Sequence, residues 1–254
     1  VGSAWQNKPK QPELVLHEHR QLGNNIGLIN GSLSGIVDVD LDCEEAVVLA
    51  RLFLPEALAE FQHDGNARGH MLFRTPNAGK TRQFKCPDTG STLAELRSTG
   101  SQTMLPPSVH PSGHALRFTE IRDMANAVDF EELTTCVQRI AACSLVAQNW
   151  QQGSRHQLAL GLSGLLLKAG IEQEVAESVI SVICEVASDI EVRDRLNAVK
   201  TTYEKASSAV SGYGLLSDVL GEKVSNRLGE WLGLAADLPS IKASERQGPL
   251  LAQI

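Results

Sequence analysis

The sequence predicts an α+β domain followed by a small all-α helical domain, and three observations predict it. Between about residues 26 and 118, short apolar runs are punctuated by Gly, Pro, Asn and Ser, the pattern of strands and turns. One helical stretch, CEEAVVLARLFLPEALAEF, interrupts them, so the order strand, helix, strands gives an α/β or α+β unit, taken as α+β. From about residue 129 onward, apolar residues recur at helical spacing for roughly one hundred residues. The expected boundaries are 1–125 for the α+β domain, 126–234 for the helical domain and 235–254 for a linker or tail.

The strand candidates are NNIGLING, GIVDVDL, GHMLFRTP, QTMLPPSV and GHALRFTE. In the intervening helix, Glu44 and Glu45 suit an N-terminus, where backbone N–H groups favour negative charge. Pro55 is read as starting a second turn or a short second helix. The helical half opens with DFEELTTCVQRIAACSLVAQ. GSRHQLALGLSGLLLKAG follows, with Ser154 as its cap and Gly170 at its end. EQEVAESVISVICEVAS, DIEVRDRLNAVKTTYEKASSA and LLSDVLGEKVSNRLGEWLGL complete the set. The tail, AADLPSIKASERQGPLLAQI, has weak periodicity and reads as a linker toward a further domain of a longer parent.

Composition narrows the function classes. Hydrophobic content of 42% and charged content of 21% belong to an ordinary globular protein, and aromatics at 4% leave a mainly aliphatic core. No apolar run is long enough for a transmembrane helix, so no membrane partner is expected. The opening VGSAWQNKPK lacks the apolar core of a signal peptide, which makes cytoplasmic residence the expectation. Five scattered cysteines form no CxxC pair, which argues against a disulfide framework or a structural zinc site. The net charge of −7 argues against a broad basic nucleic-acid face but is compatible with a local basic groove.

The most informative stretch is GIVDVDLD, residues 35–42. On a strand, Asp38, Asp40 and Asp42 share one face, and Val37, Val39 and Leu41 share the other. Carboxylates two residues apart on a strand sit about 7 Å apart and repel, unless a hard divalent cation bridges them. A solvated edge strand is the plain alternative. An EF-hand loop fails, because its sixth and twelfth positions would be Cys43 and Leu49. A DxD phosphohydrolase and a DxD nucleotidyl-transferase both remain, and downstream residues must decide. The GKT of NAGKTR is no P-loop, since the Gly required five residues earlier is Arg74.

Downstream come ARGHMLFR, with His70, and LAELRSTGSQTMLPPSVHPSG, in which Glu95 and Arg97 share a strand face. The ordered set DxD, then GH before an apolar strand, then ELRSxGSQTxxPPSxHPSG, resembles the archaeo-eukaryotic primase superfamily. The closest branch is the bifunctional primase-polymerase domain of plasmid and phage replication proteins. The resemblance covers roughly residues 20–118. Its first motif falls on GIVDVDLD, its second on Arg68–His70, and its third on Ala94–Glu95. Thirty residues separate Asp40 from His70 and twenty-five separate His70 from Glu95. Arg68 stands where the family usually has Ser. The helical half looks like the helical primase C-terminal domain that follows many such cores.

The resemblance implies an RRM-like catalytic core and template-directed synthesis of primers on single-stranded DNA from nucleoside triphosphates. It implies two-metal nucleotidyl transfer with Mg²⁺ or Mn²⁺ held by Asp38, Asp40 and Glu95. His70, Arg97, Ser108 and His110 are the implied nucleotide contacts, and Arg155 and His156 are candidate nucleic-acid contacts. The setting implied is replication of a plasmid, phage or mobile element, with room for a helicase domain or protein as a partner. The competing readings are a DxD phosphohydrolase and a non-catalytic single-stranded-DNA-binding replication module.

Overall fold

The computed structural model describes residues 23–64, 68–205, 207–210 and 212–234, together with His17 and Gln21. The expected linker, 235–254, lies outside the described residues. Among the described residues, eight strands, β1 (Ile26–Ile29), β2 (Ile36–Leu41), β3 (Ala59–His63), β4 (Gly69–Arg74), β5 (Arg82–Lys85), β6 (Thr92–Arg97), β7 (Gln102–Leu105) and β8 (Leu116–Ile121), are interrupted after β2 by one helix, α1 (Glu44–Phe53). Six α-helices follow among the described residues: α2 (Phe130–Ala147), α3 (Arg155–Lys168), α4 (Gln173–Val186), α5 (Val192–Tyr203), α6 (Gly212–Leu220) and α7 (Glu222–Trp231). The predicted class, α+β followed by helices, is the observed one. Among the described residues, no helix is long and apolar enough to cross a membrane.

Six strands form an antiparallel sheet in the order β5-β6-β2-β4-β3-β8, and β1 pairs with β7 in a separate ribbon. The alternation of IVDVDL explains the central place of β2. Val37, Val39 and Leu41 are buried on the back of the sheet, in one core with Leu49 and Ala50 of α1 and Leu133 and Val137 of α2. That core continues without a break into α3, α4, α6 and α7. The front face carries the acids. A second, smaller cluster lies there, where Leu28 and Leu105 of the ribbon and Ile36 cover Ala59, Phe61 and Leu72. The ribbon therefore roofs part of the acidic face and leaves the rest open.

Three local expectations need correction. LPEALAEF does not extend a helix: α1 stops at Leu54, whose extended ψ of 141° suits the residue before Pro55. Ala59–His63 then forms β3, hydrogen-bonded to β4 on one side and β8 on the other. Tertiary pairing overrides the helical preference of Glu, Ala and Leu. Ser154 occupies the cap position of α3, but its hydroxyl donates back to Gln151 O (3.1 Å) rather than capping the helix. LLSDVLGEKVSNRLGEWLGL is two helices, because Gly221, at φ 81°, breaks the chain between α6 and α7. Gly170 ends α3 as expected, at φ 69°, with Ile171 N donating to Leu166 O (3.0 Å). The GKT segment is packed rather than open: a Cβ at Gly79 would fall 2.5 Å from the Phe130 ring.

Candidate active site

Register brings the site together. Asp40 lies opposite His70 on β4 and Glu95 on β6, and Asp38 lies opposite Leu72 and Arg97. Residues directly opposite in an antiparallel pair share a face, so the three motifs meet on the front of the sheet. Asp38 is 0% exposed and Asp40 is 4% exposed, so the solvated-edge alternative for these two acids does not hold.

Two basic side chains answer the buried acids. His70 Nδ1 lies 3.1 Å from Asp38 Oδ2 and 3.6 Å from Asp40 Oδ1. The Arg97 guanidinium pairs with Asp40, and its Nε donates to Glu95 Oε2 (3.3 Å). Glu95 Oε1 accepts from Gln83 Nε2 (3.2 Å). Burial pushes the Asp40 carboxyl up to about 6, with the Asp38 charge adding to it, although His70 and Arg97 pull the other way. Burial disfavours the His70 imidazolium, but the Asp38 and Asp40 carboxylates outweigh it and raise its pKa. His70 is further fixed by Phe61, whose ring lies flat on it, centroids 4.6 Å apart at 7°.

Asp40 lies in the floor of an open cleft of about 480 Å³, and Asp38 is fully buried beside it on β2 without lining the cleft. Asp40, Asp42, His70 and Arg97 line one part, and His63, Arg68, His110, Ser112 and His114 line another. Asp42 sits just past the end of β2, where burial raises its pKa and Arg97 and Arg68 lower it. His110 packs edge-on to His63 (centroids 4.7 Å). Its Nδ1 accepts from Ser112 N (3.2 Å), which assigns the proton of the neutral ring to Nε2. An acidic floor beside a wall of imidazoles and arginines suits a polyanion bound together with a cation.

Whether the acids suit a divalent cation is tested by their satisfaction. Asp38 Oδ1 is buried and has no hydrogen-bond partner among the described residues. A buried bare carboxylate oxygen is costly, and a hard cation is the partner its chemistry favours. Burial, more than any missing charge, raises the Asp40 carboxyl, and a bound cation would offset that cost of burial. These two acids therefore fit a divalent cation. Glu95 stands apart from them in this arrangement, since both of its oxygens are held by Gln83 and Arg97. Among the described residues, no group of three or more His, Cys, Asp or Glu is arranged to hold a metal ion.

Not every sequence candidate joins the cleft. Ser108 is 1% exposed, and its Oγ accepts from Ile26 N (2.8 Å), tying the PPSVH loop to β1. Arg155 donates to Trp150 O (3.3 Å) and Ala187 O (3.3 Å) and pairs with Asp189 (3.4 Å). His156 pairs with Asp194 (2.8 Å). Arg155 is thus engaged within the helical half, and His156 lies half exposed on its surface.

The structure also supplies residues that motif reading passes over. His63 lines the cleft, with its ring 6.0 Å from that of His70. Reading β3 as a strand would have revealed it, because alternation puts His63 and Phe61 on one face. Thr103 donates from Oγ1 to Asp38 Oδ2 (2.6 Å), and Asn30 Nδ2 donates to Thr103 Oγ1 (2.9 Å). Nothing local in GSQTML marks Thr103, because its importance arises from the pairing of β7 with β1.

No curated protein and no solved structure matches the chain. A family model described as the N-terminal domain of bifunctional DNA primase/polymerases (Prim-Pol) matches residues 1–130. That span is just over half of the 254 residues and contains all eight strands and the whole of the cleft. The chain belongs to the bifunctional DNA primase/polymerase family.

Proposed function

We propose that the chain is a template-directed DNA primase and polymerase whose nucleotidyl-transfer site is the Asp38–Asp40 cleft. Family membership supports a nucleotidyltransferase-type function acting on a DNA template and nucleotides, and enzymes of this family generally use divalent metals. The observation that carries the reading is the buried acid pair: Asp40 lies in the floor of a cleft walled by His63, Arg68, Arg97 and His110, and Asp38, buried beside it, keeps one bare oxygen. Residues 126–234 are proposed as the helical primase C-terminal domain, and the setting as replication of a plasmid, phage or mobile element.

In this reading, Asp38 and Asp40 would hold Mg²⁺ or Mn²⁺, and Glu95 would join as the third carboxylate on exchanging its bonds from Gln83 and Arg97 for the cation. Bound cations supply Lewis-acid activation of the primer 3′-hydroxyl and charge neutralisation at the triphosphate. Attack of that hydroxyl on the α-phosphorus forms the new phosphodiester and releases pyrophosphate. His70 orients Asp38 and Asp40 through Nδ1. Arg97 balances the charge of Asp40 and Glu95 and lies where its fork can reach a phosphate in the cleft. His110 offers Nε2–H to the nucleotide.

The test is primer synthesis on a single-stranded template with labelled nucleotides and Mn²⁺ or Mg²⁺. The wild type should make dinucleotides or extend a primer, and Asp38→Asn and Asp40→Asn should be folded and inactive. A wild type that extends nothing but hydrolyses a phosphate ester overturns the proposal in favour of the phosphohydrolase reading.

A further inference from the structure

The two oxygens of Asp38 are treated differently. Oδ2 accepts two hydrogen bonds, from the Thr103 hydroxyl (2.6 Å) and from His70 Nδ1 (3.1 Å). Oδ1 accepts none. A carboxylate with one saturated oxygen and one bare oxygen is locked in rotation about its last bond.

Thr103 is itself locked. A hydroxyl has one proton to give. Asn30 Nδ2 donates to Thr103 Oγ1 at 2.9 Å, so the Thr103 proton is left to point at Asp38. Asn30 is anchored in turn: its Nδ2 reaches Ser101 Oγ (3.2 Å) and its backbone N reaches Ser101 O (3.1 Å). Asn30, Thr103 and Asp38 are each at most 1% exposed, so water does not compete along this chain. Asn30 follows β1 and Thr103 lies on β7, so the ribbon that roofs the site reaches down to its deepest acid.

We infer that Thr103 is a positioning residue that turns Asp38 so that Oδ1 is the oxygen presented to the divalent cation. The inference rests on the proposed role of Asp38 as a metal ligand. It goes beyond that role in assigning which oxygen is presented and which residue presents it. Groups that hydrogen-bond to a metal-binding carboxylate fix its orientation, and their loss typically weakens metal binding about 10–100-fold.

Mn²⁺ titration of the full chain, read by loss of the free-ion EPR signal, tests this without reference to activity. Thr103→Val keeps the shape and removes the hydroxyl, and it should weaken Mn²⁺ binding about 10–100-fold. Thr103→Ser restores the hydroxyl and should bind within about 3-fold of wild type, which a purely packing role for Thr103 would not require. If Thr103→Val does not fold, Thr103→Ala against Thr103→Ser isolates the hydroxyl with the methyl absent from both. Thermal melts without metal show whether stability alone has changed. A Thr103→Val or Thr103→Ala protein that melts lower but binds Mn²⁺ like the wild type overturns the inference. Asp38→Asn separates the two levels. If it loses Mn²⁺ while Thr103→Val does not, only the Thr103 assignment fails. If the wild type binds no Mn²⁺, or Asp38→Asn binds it equally well, the metal role of Asp38 fails and the inference fails with it.

Discussion

Two buried acidic clusters in this molecule have similar components and opposite states. In the helical half, Asp189 is buried and both of its oxygens are doubly served. Oδ2 accepts from Trp150 Nε1 (3.0 Å) and Arg195 Nε (3.0 Å), and Oδ1 accepts from Glu191 N (3.1 Å) and pairs with Arg155 Nη1 (3.4 Å). Burial pushes its pKa up, but the bonds from Trp150 and Arg195 outweigh burial and hold it below the usual carboxylate range. In the sheet, Asp38 keeps a bare oxygen and Asp40 is pushed up to about 6. A fold that can saturate a buried carboxylate with two arginines and a tryptophan leaves another one unsatisfied in the sheet. Saturation suits an acid that holds elements together, and in the proposed reading the bare oxygen of Asp38 is the one kept for a cation.

The comparison breaks most visibly under substitution. Asp38→Asn and Asp40→Asn should reduce primer extension to background while the thermal midpoint holds or rises, because they remove repulsion between neighbouring buried charges. A large loss of stability in either would put the sheet cluster in the same class as Asp189. Asp189→Ala should do the reverse. It takes the acceptor from Trp150 Nε1 and Arg195 Nε, although Arg195 keeps Glu191 and Asp194, and should cost about 1–3 kcal/mol in denaturant unfolding, while the remaining folded protein keeps its primer extension.

pH separates the clusters by sign. Asp40 holds its proton more tightly folded than unfolded, so its contribution to stability falls as pH rises from about 4 through about 6. The raised pKa of His70 acts in the same direction: its contribution is full below about 6.5 and is lost as pH rises through the folded value. Asp189 acts oppositely, contributing above its unfolded value and losing that contribution as pH falls through its depressed one. In EDTA, Asp40→Asn should therefore gain on the wild type between pH 5 and pH 7.5, as measured by denaturant unfolding. A gap between the two that does not widen over this range would show that Asp40 titrates normally.

The smallest expected effect is at His156. Its pair with Asp194 is half exposed, so His156→Ala should change stability by no more than about 1 kcal/mol in the same assay.

Much of this was written locally. The alternation of IVDVDL placed the acids on one face of a strand, and the order of DxD, GH and ELRSxGSQTxxPPSxHPSG pointed to the family that the matched region bears out. Side-chain direction along a strand and residue order along a chain are local properties, and the sequence determines them by itself. Pairing decided the rest. β3 was hidden in residues with helical preferences, because its strand state comes from β4 and β8 on its flanks. His63 was hidden with it. Ser108 looked like a nucleotide contact but ties its loop to β1, and Arg155 is drawn onto Asp189. Thr103 and Asn30 carry no motif and reach Asp38 only because β1 and β7 fold over the sheet. Which face is acidic follows from the period of a strand. Which oxygen on that face is left bare depends on donors 32 and 65 residues away in the chain, and only the tertiary structure delivers them.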